Sequence, residues 1–206
     1  MMLTEKTLIE KVKAHVIKLL SEELSTDITY HSINHTQDVV RAANEIAEKQ
    51  EFSEEEIEVL NIAAWFHDVG YTKGSQNHED RSAEIALEYL EERSYPKEKI
   101  EQVKGCILAT KMPQKPKNAL QKTICDADLM HLASEDYFKK ADLLHNEIEK
   151  TKLCKIPESE WLKMNQEFLM GHCFFTEYAQ KTYHSAVKEN LRKVRERLKP
   201  WQKKKK

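Results

Sequence analysis

Apolar residues recur at helical spacing along most of this chain, and strand-like alternation nowhere lasts more than a few residues. That periodicity restricts the fold to packed helices. Composition agrees on the one point where it matters. Four glycines and five prolines in 206 residues, with abundant Glu, Lys, Leu and Ala, favour an all-α protein. The length suits one domain that buries a sizeable core without disulfides.

Thr4 is expected to open a first helix with Leu8, Val12, Val16, Leu19 and Leu20 on one stripe. Ser32 reads as the N-cap of a second helix reaching about Lys49. Ser53 caps a third, whose first turn holds Glu54 to Glu56 at its positive end. This third helix carries the apolar run from Ile57 to Phe66, closes on His67-Asp68 and meets a natural stop at Gly70. Further helices are predicted over about 79–92 and 96–110. Two prolines make 111–117 an extended loop. A helical stretch over 119–148 breaks near Ser134, another segment starts at Pro157 and is interrupted at Gly171, and a last helix spans 176–198 before Pro200. The chain thus reads as one unit, a compact multi-helix bundle. Its chemistry-bearing core lies at about 30–132, additional helices fill 133–200, and a basic tail occupies 201–206.

Several classes of function are disfavoured. The formal charge of −2 gives no global footprint for nucleic acid, and Lys203 to Lys206 read as a solvated tail. Cys106, Cys125, Cys154 and Cys173 are far apart and form no CxxC pair, which argues for buried free thiols rather than a zinc ribbon or redox motif. The first eighteen residues are studded with Glu and Lys, and no apolar stretch is long enough to span a bilayer. A cytoplasmic protein is expected, with homo-oligomerisation left open.

His67-Asp68 is the strongest functional clue. A carboxylate directly behind Trp65-Phe66 is expensive to bury unless a cation compensates it. If the second and third helices pack antiparallel, His35 at the start of one meets His67-Asp68 at the end of the other. Asp128 would add a fourth ligand, with Asp126 its competitor in the same window. Two imidazoles and two carboxylates suit Mn²⁺, Fe²⁺, Co²⁺ or Zn²⁺ better than Ca²⁺. Lys73, Arg81, Lys111 and Lys115 are the nearest candidates for binding a charged substrate. His131, His145 and His184 lie on charge-rich stretches and are expected to be exposed, whereas His172, among aromatics, is expected to be a hydrogen-bonded core residue.

The order His35, His67-Asp68, Asp128 resembles the HD-domain superfamily of metal-dependent phosphohydrolases. Tyr30-His-Ser-Ile-Asn-His-Thr36, Phe66-His-Asp-Val-Gly-Tyr71, Asn77-His-Glu-Asp-Arg-Ser-Ala83 and Asp126-Ala-Asp-Leu129 are similar to the family's local patterns. Four ordered segments at these separations carry far more weight than a lone His-Asp pair. The resemblance implies an all-α fold and a divalent ion (Mn, Fe, Co, Zn or Mg) held by His35, His67, Asp68 and Asp128. It also implies hydrolysis of a phosphoester, in a nucleotide or other small phosphorylated substrate, through a metal-activated water. Asp68 would orient that water, and His31 stands where related phosphodiesterases carry a proton-donating His. His78 and Asp126 would be further ligands or supports of the ligands. No second additional His stands at Leu108 to Lys111, which favours one metal over two. The alternative on the same fold is a catalytically silent sensor that binds metal or nucleotide, or a protein-interaction module.

Overall fold

A computed structural model describes residues 7–203. These residues form α1 (Leu8–Glu23), α2 (Ile33–Ala47), α3 (Glu54–Phe66), α4 (His78–Glu91), α5 (Lys97–Ala109), α6 (Ala119–Asp128), α7 (Tyr137–Thr151), α8 (Glu158–Gly171) and α9 (Glu177–Lys203). Two 3₁₀ turns, Val69–Lys73 and Met130–Ala133, follow α3 and α6. No strand occurs among the described residues, and none of their helices is long and apolar enough to cross a membrane. The expected helix start at Thr4 and the lysines 204–206 of the expected tail lie outside the described residues.

Local chemistry accounts for most boundaries. Thr7 caps α1 in a reciprocal box with Glu10, and Ser53 caps α3 in the same way with Glu56. Ser32 occupies the N-cap of α2 without a side-chain hydrogen bond, so backbone geometry alone starts that helix. The break near Ser134 is where the 3₁₀ turn ends.

α3 is the axis of the bundle. Every residue from Val59 to Phe66 is buried, because α1, α2, α4, α5 and α6 all pack against this helix. A helix apolar on every side needs such a surround. Asn44 of α2 and Asn61 of α3 exchange two side-chain amide bonds at 2.8 and 2.9 Å, which fixes the axial register of the two helices. That register sets the start of α2 beside the end of α3.

Three expectations need correction. Gly70 does not stop α3. It sits inside the 3₁₀ turn, where a Cβ would lie 2.1 Å from the carbonyl oxygen of His78 and 2.9 Å from the amide nitrogen of Ser82. Only glycine lets this turn touch the α4 backbone. Gly70→Ala is expected to cost about 1–3 kcal/mol, since backbone cannot yield as a side chain does. Thermal denaturation checks this, as a fall of about 2–4 °C per kcal/mol. Pro200 does not follow the last helix but lies within it. Buried Leu198 anchors the preceding turn, the proline's own φ is helical, and the carbonyl it leaves unpaired belongs to exposed Glu196. Finally, Cys106 and Cys125 are buried free thiols, but Cys154 and Cys173 are exposed in the connections that flank α8.

Candidate metal centre

His35 lies in the first turn of α2, and His67 terminates α3. Consecutive side chains on an α-helix diverge by about 100°, so His67 and Asp68 would not face one point on a continued helix. The chain breaks between them. Asp68 takes φ −114° and ψ 4°, between helical and extended backbone, as the helix tightens into the 3₁₀ turn. That break brings Asp68 Oδ2 to 3.1 Å from His67 Nε2 and 3.2 Å from His35 Nε2. Asp128, the last residue of α6, puts Oδ1 3.2 Å from His35 Nε2 and 3.7 Å from His67 Nε2. The two imidazole nitrogens are 3.4 Å apart. One donor atom each from His35, His67 and Asp128 lies within 4.8 Å of the others.

Two observations test whether this cluster fits a cation. Asp68 Oδ2 is buried and accepts no hydrogen bond, despite its closeness to two imidazoles. His67 Nδ1 donates to the Ala64 carbonyl at 2.8 Å, which commits the lone pair of Nε2 to the cluster. Both are what a ligand set requires, and the mixed nitrogen and oxygen donors suit a first-row divalent ion or Mg²⁺. Burial alone would lower the pKa of His35, but the neighbouring carboxylates of Asp128 and Asp68 outweigh it and lift the imidazole to about 9. Burial likewise opposes charge on Asp68, and His67, His31 and His35 nevertheless hold it well below the usual carboxylate range. Two carboxylates in such a place demand positive charge, which protons on the imidazoles or one divalent cation can supply.

His31 sits on the rim. Its ring stacks on Tyr71 at 4.1 Å, and its Nε2 is 3.3 Å from the Tyr71 hydroxyl. The Nδ1 atom forms a short hydrogen bond to Glu147 of α7, and the other oxygen of that carboxylate accepts the backbone N–H of Tyr30 and of His31 at 2.7 and 3.1 Å. Burial opposes the charge on Glu147, but these bonds prevail and keep it below its ordinary range. Sequence reasoning missed Glu147, because one acid on a charge-rich helix looks like any other. His78, the first residue of α4, points Nε2 to 3.5 Å from Asp68 Oδ1, while its Nδ1 faces the Ser75 carbonyl at 3.1 Å.

Asp126 is not in the cluster. Its two oxygens accept the backbone N–H of Phe175 and Thr176 at 2.8 and 2.7 Å, just ahead of α9. The four expected substrate-binding cations are also elsewhere. Lys73 pairs with Glu23 at 2.6 Å and Lys111 with Asp80 at 2.6 Å, both on the surface. Arg81 spends its guanidinium on the carbonyls of Gly70 and Gly74, so it braces the loop after α3. Lys115 is exposed on the loop between α5 and α6. None of the four lines the cleft above the centre, a space of about 320 Å³. The lysine that does is Lys140 of α7, at 2.7 Å from Asp38.

Of the four other histidines for which the sequence sets an expectation, three depart from it. His131 is half-buried, lines the cleft, and bonds the Asp128 carbonyl at 3.2 Å. Burial, with help from the charge on His35, lowers its pKa to about 3. His145 stacks on Trp161 at 4.7 Å and bonds the Ile156 carbonyl at 2.9 Å. His184 is exposed, as expected. His172 is packed between Phe168 and Phe174, but its buried Nε2 has no hydrogen-bond partner.

Comparison with known proteins follows the same lines. Residues 32–133 match the family model described as HD domain. No curated protein matches the chain. A predicted HD superfamily hydrolase from an uncultured Thermotogales bacterium is similar in structure, with a TM-score of 0.63 at 20% identity over 95% of this chain and 99% of that one. A Lactobacillus plantarum protein gives a TM-score of 0.70 at 13% identity, over 97% of this chain and 99% of that one. Bacillus subtilis YpgQ, solved in complex with ADP, gives 0.64 at 16% identity, over 91% of this chain and 94% of that one. At these identities the likeness is one of fold.

Proposed function

Since this chain carries an HD domain over residues 32–133 and so belongs to the HD-domain superfamily, we propose that it is a metal-dependent phosphohydrolase acting on a nucleotide or other small phosphorylated substrate. The observation that carries the reading is the meeting of His35, His67, Asp68 and Asp128 around a buried carboxylate oxygen without a hydrogen-bond partner. The nucleotide part of it is supported by the ADP bound in YpgQ.

His35, His67, Asp68 and Asp128 would hold the ion, and His78 stands ready at the second oxygen of Asp68. When bound, a divalent cation supplies Lewis-acid polarisation of a phosphoryl oxygen and a lowered pKa for water at that point. The protein's own groups do the rest. Asp68 orients the attacking water, with its second oxygen turned towards His78. Glu147 fixes the His31 ring through Nδ1 and leaves Nε2 on the Tyr71 side of the cleft, where it can protonate a leaving oxygen.

Elemental analysis of the purified protein, joined to a phosphate-release screen across phosphomonoesters, phosphodiesters and nucleotides with each metal added, tests this reading. A metal-replete protein inert on the whole panel would reduce the site to a binding module. The positioning role of Glu147 has its own signature. Glu147→Gln is expected to lower kcat about 10- to 100-fold and to change the pH profile of kcat. Its KM and metal content should stay near wild type, whereas a merely structural Glu147 would affect folding and leave the profile in place.

A further inference from the structure

The cleft has two unlike halves, and from them we infer that the group carried by the phosphate is apolar and bears no second phosphate. This rests on the phosphohydrolase reading of the same site. At the metal end, the lining holds three carboxylates, Asp68, Glu79 and Asp128, against one lysine, Lys140. That lysine already lies 2.7 Å from Asp38 Oδ2, and no arginine lines the cleft. With Lys140 spent on Asp38, one divalent cation still leaves this lining one negative charge in excess. A single phosphate then meets the ion and the His31 ring, but each further phosphate would enter beside these carboxylates with no arginine and no unpaired lysine to receive it.

The far half is built from Leu129, Leu132, Leu144, Trp161, Met164 and Phe168. Its polar groups are few, and each already holds a hydrogen bond. The Tyr137 hydroxyl donates to Asn165 Oδ1 at 2.6 Å, and Asn165 Nδ2 donates to the Trp161 carbonyl at 2.8 Å. Little is left to read the hydrogen-bonding edge of a base or the hydroxyls of a sugar. Met112, Met164 and Phe168, which also line the cleft, are 54%, 44% and 39% exposed. Large apolar side chains held open to water at a cleft mouth are surface that an apolar ligand would cover. A volume of about 320 Å³ accepts a phosphate with a compact ring system attached.

Calorimetric titration of the full-length, Mn²⁺-loaded protein with methylphosphonate, 1-naphthylphosphonate and ADP tests the inference without requiring turnover. The naphthyl probe is expected to bind at least about tenfold more tightly than methylphosphonate, from burial of its ring face alone, and more tightly than ADP. Phe168→Ser and, separately, Leu144→Ser should each shrink the gap between the two phosphonates to about threefold or less. ADP as the tightest ligand, a smaller naphthyl advantage, or an advantage indifferent to both substitutions would overturn the inference. The two readings fail differently. Hydrolysis of ADP in preference to naphthyl phosphate leaves the enzyme and removes the apolar substrate. The expected affinity order with no hydrolysis of naphthyl phosphate does the reverse.

Discussion

Asp68→Asn is expected to empty the centre of metal and to reduce phosphoester hydrolysis at least about 10³-fold, or about 4 kcal/mol of barrier. The substitution keeps the shape of the side chain and removes only its charge. Asp68 Oδ2 is the atom that approaches both imidazoles, at 3.1 and 3.2 Å, with no hydrogen bond of its own. An amide there places either a neutral oxygen or an N–H group among the donor atoms, and both weaken attraction for a cation. Metal content by inductively coupled plasma mass spectrometry should fall to a small fraction of the wild-type value, and added metal should restore little activity. Asp128→Asn should act in the same direction. Its carboxylate is 18% exposed against 5% for Asp68, so water can replace part of what the amide loses, and a smaller deficit is expected. Undiminished metal and rate in Asp68→Asn would remove the centre from the catalytic account.

The residues legible from sequence share one property: their position at a helix end is marked by local chemistry. His35 follows the Ser32 N-cap, and His67-Asp68 closes a run that is apolar on every side. An ionisable group in either place needs a reason. Glu147 and Lys140 carry no such mark. Each sits on α7 among other charged residues, and only the docking of that helix over the cleft turns them inward. The same docking explains His131 and His145. Sequence periodicity treats them as helix-surface residues, but the 3₁₀ turn Met130–Ala133 rotates His131 under Tyr30, and α8 brings Trp161 over His145. Arg81 fails in the opposite sense. A guanidinium near a phosphate motif invites a substrate role, yet the loop after α3 leaves the carbonyls of Gly70 and Gly74 in need of a donor, and Arg81 is the donor within reach. Gly70 shows the limit of reading glycine as punctuation: its need arises from the backbone of His78 and Ser82, eight and twelve residues further along the chain, which no local pattern records.

Asp126→Ala is expected to destabilise the protein by about 3–6 kcal/mol, counting about 1.5–3 for each of two charge-assisted hydrogen bonds. Its metal content should remain that of the wild type. Asp126 and Asp128 compete for one role in the sequence, but residues two apart on a helix point about 200° away from each other. When Asp128 faces the histidines, Asp126 must face the opposite side. There its fully buried carboxylate receives the N–H groups of Phe175 and Thr176, and Thr176 in turn accepts the amide of Ala179 in the first turn of α9. The side chain therefore joins the helix that carries Asp128 to the longest helix of the C-terminal region. Alanine would leave two amides unpaired, one of them buried, at a junction water cannot easily reach. Asp126→Asn, which keeps one good acceptor, should recover about half of the loss. For a chain of this size the alanine variant should melt roughly 10 °C lower, at about 2–4 °C per kcal/mol. Loss of metal with little change in melting temperature would instead return Asp126 to the ligand set and displace Asp128 from it.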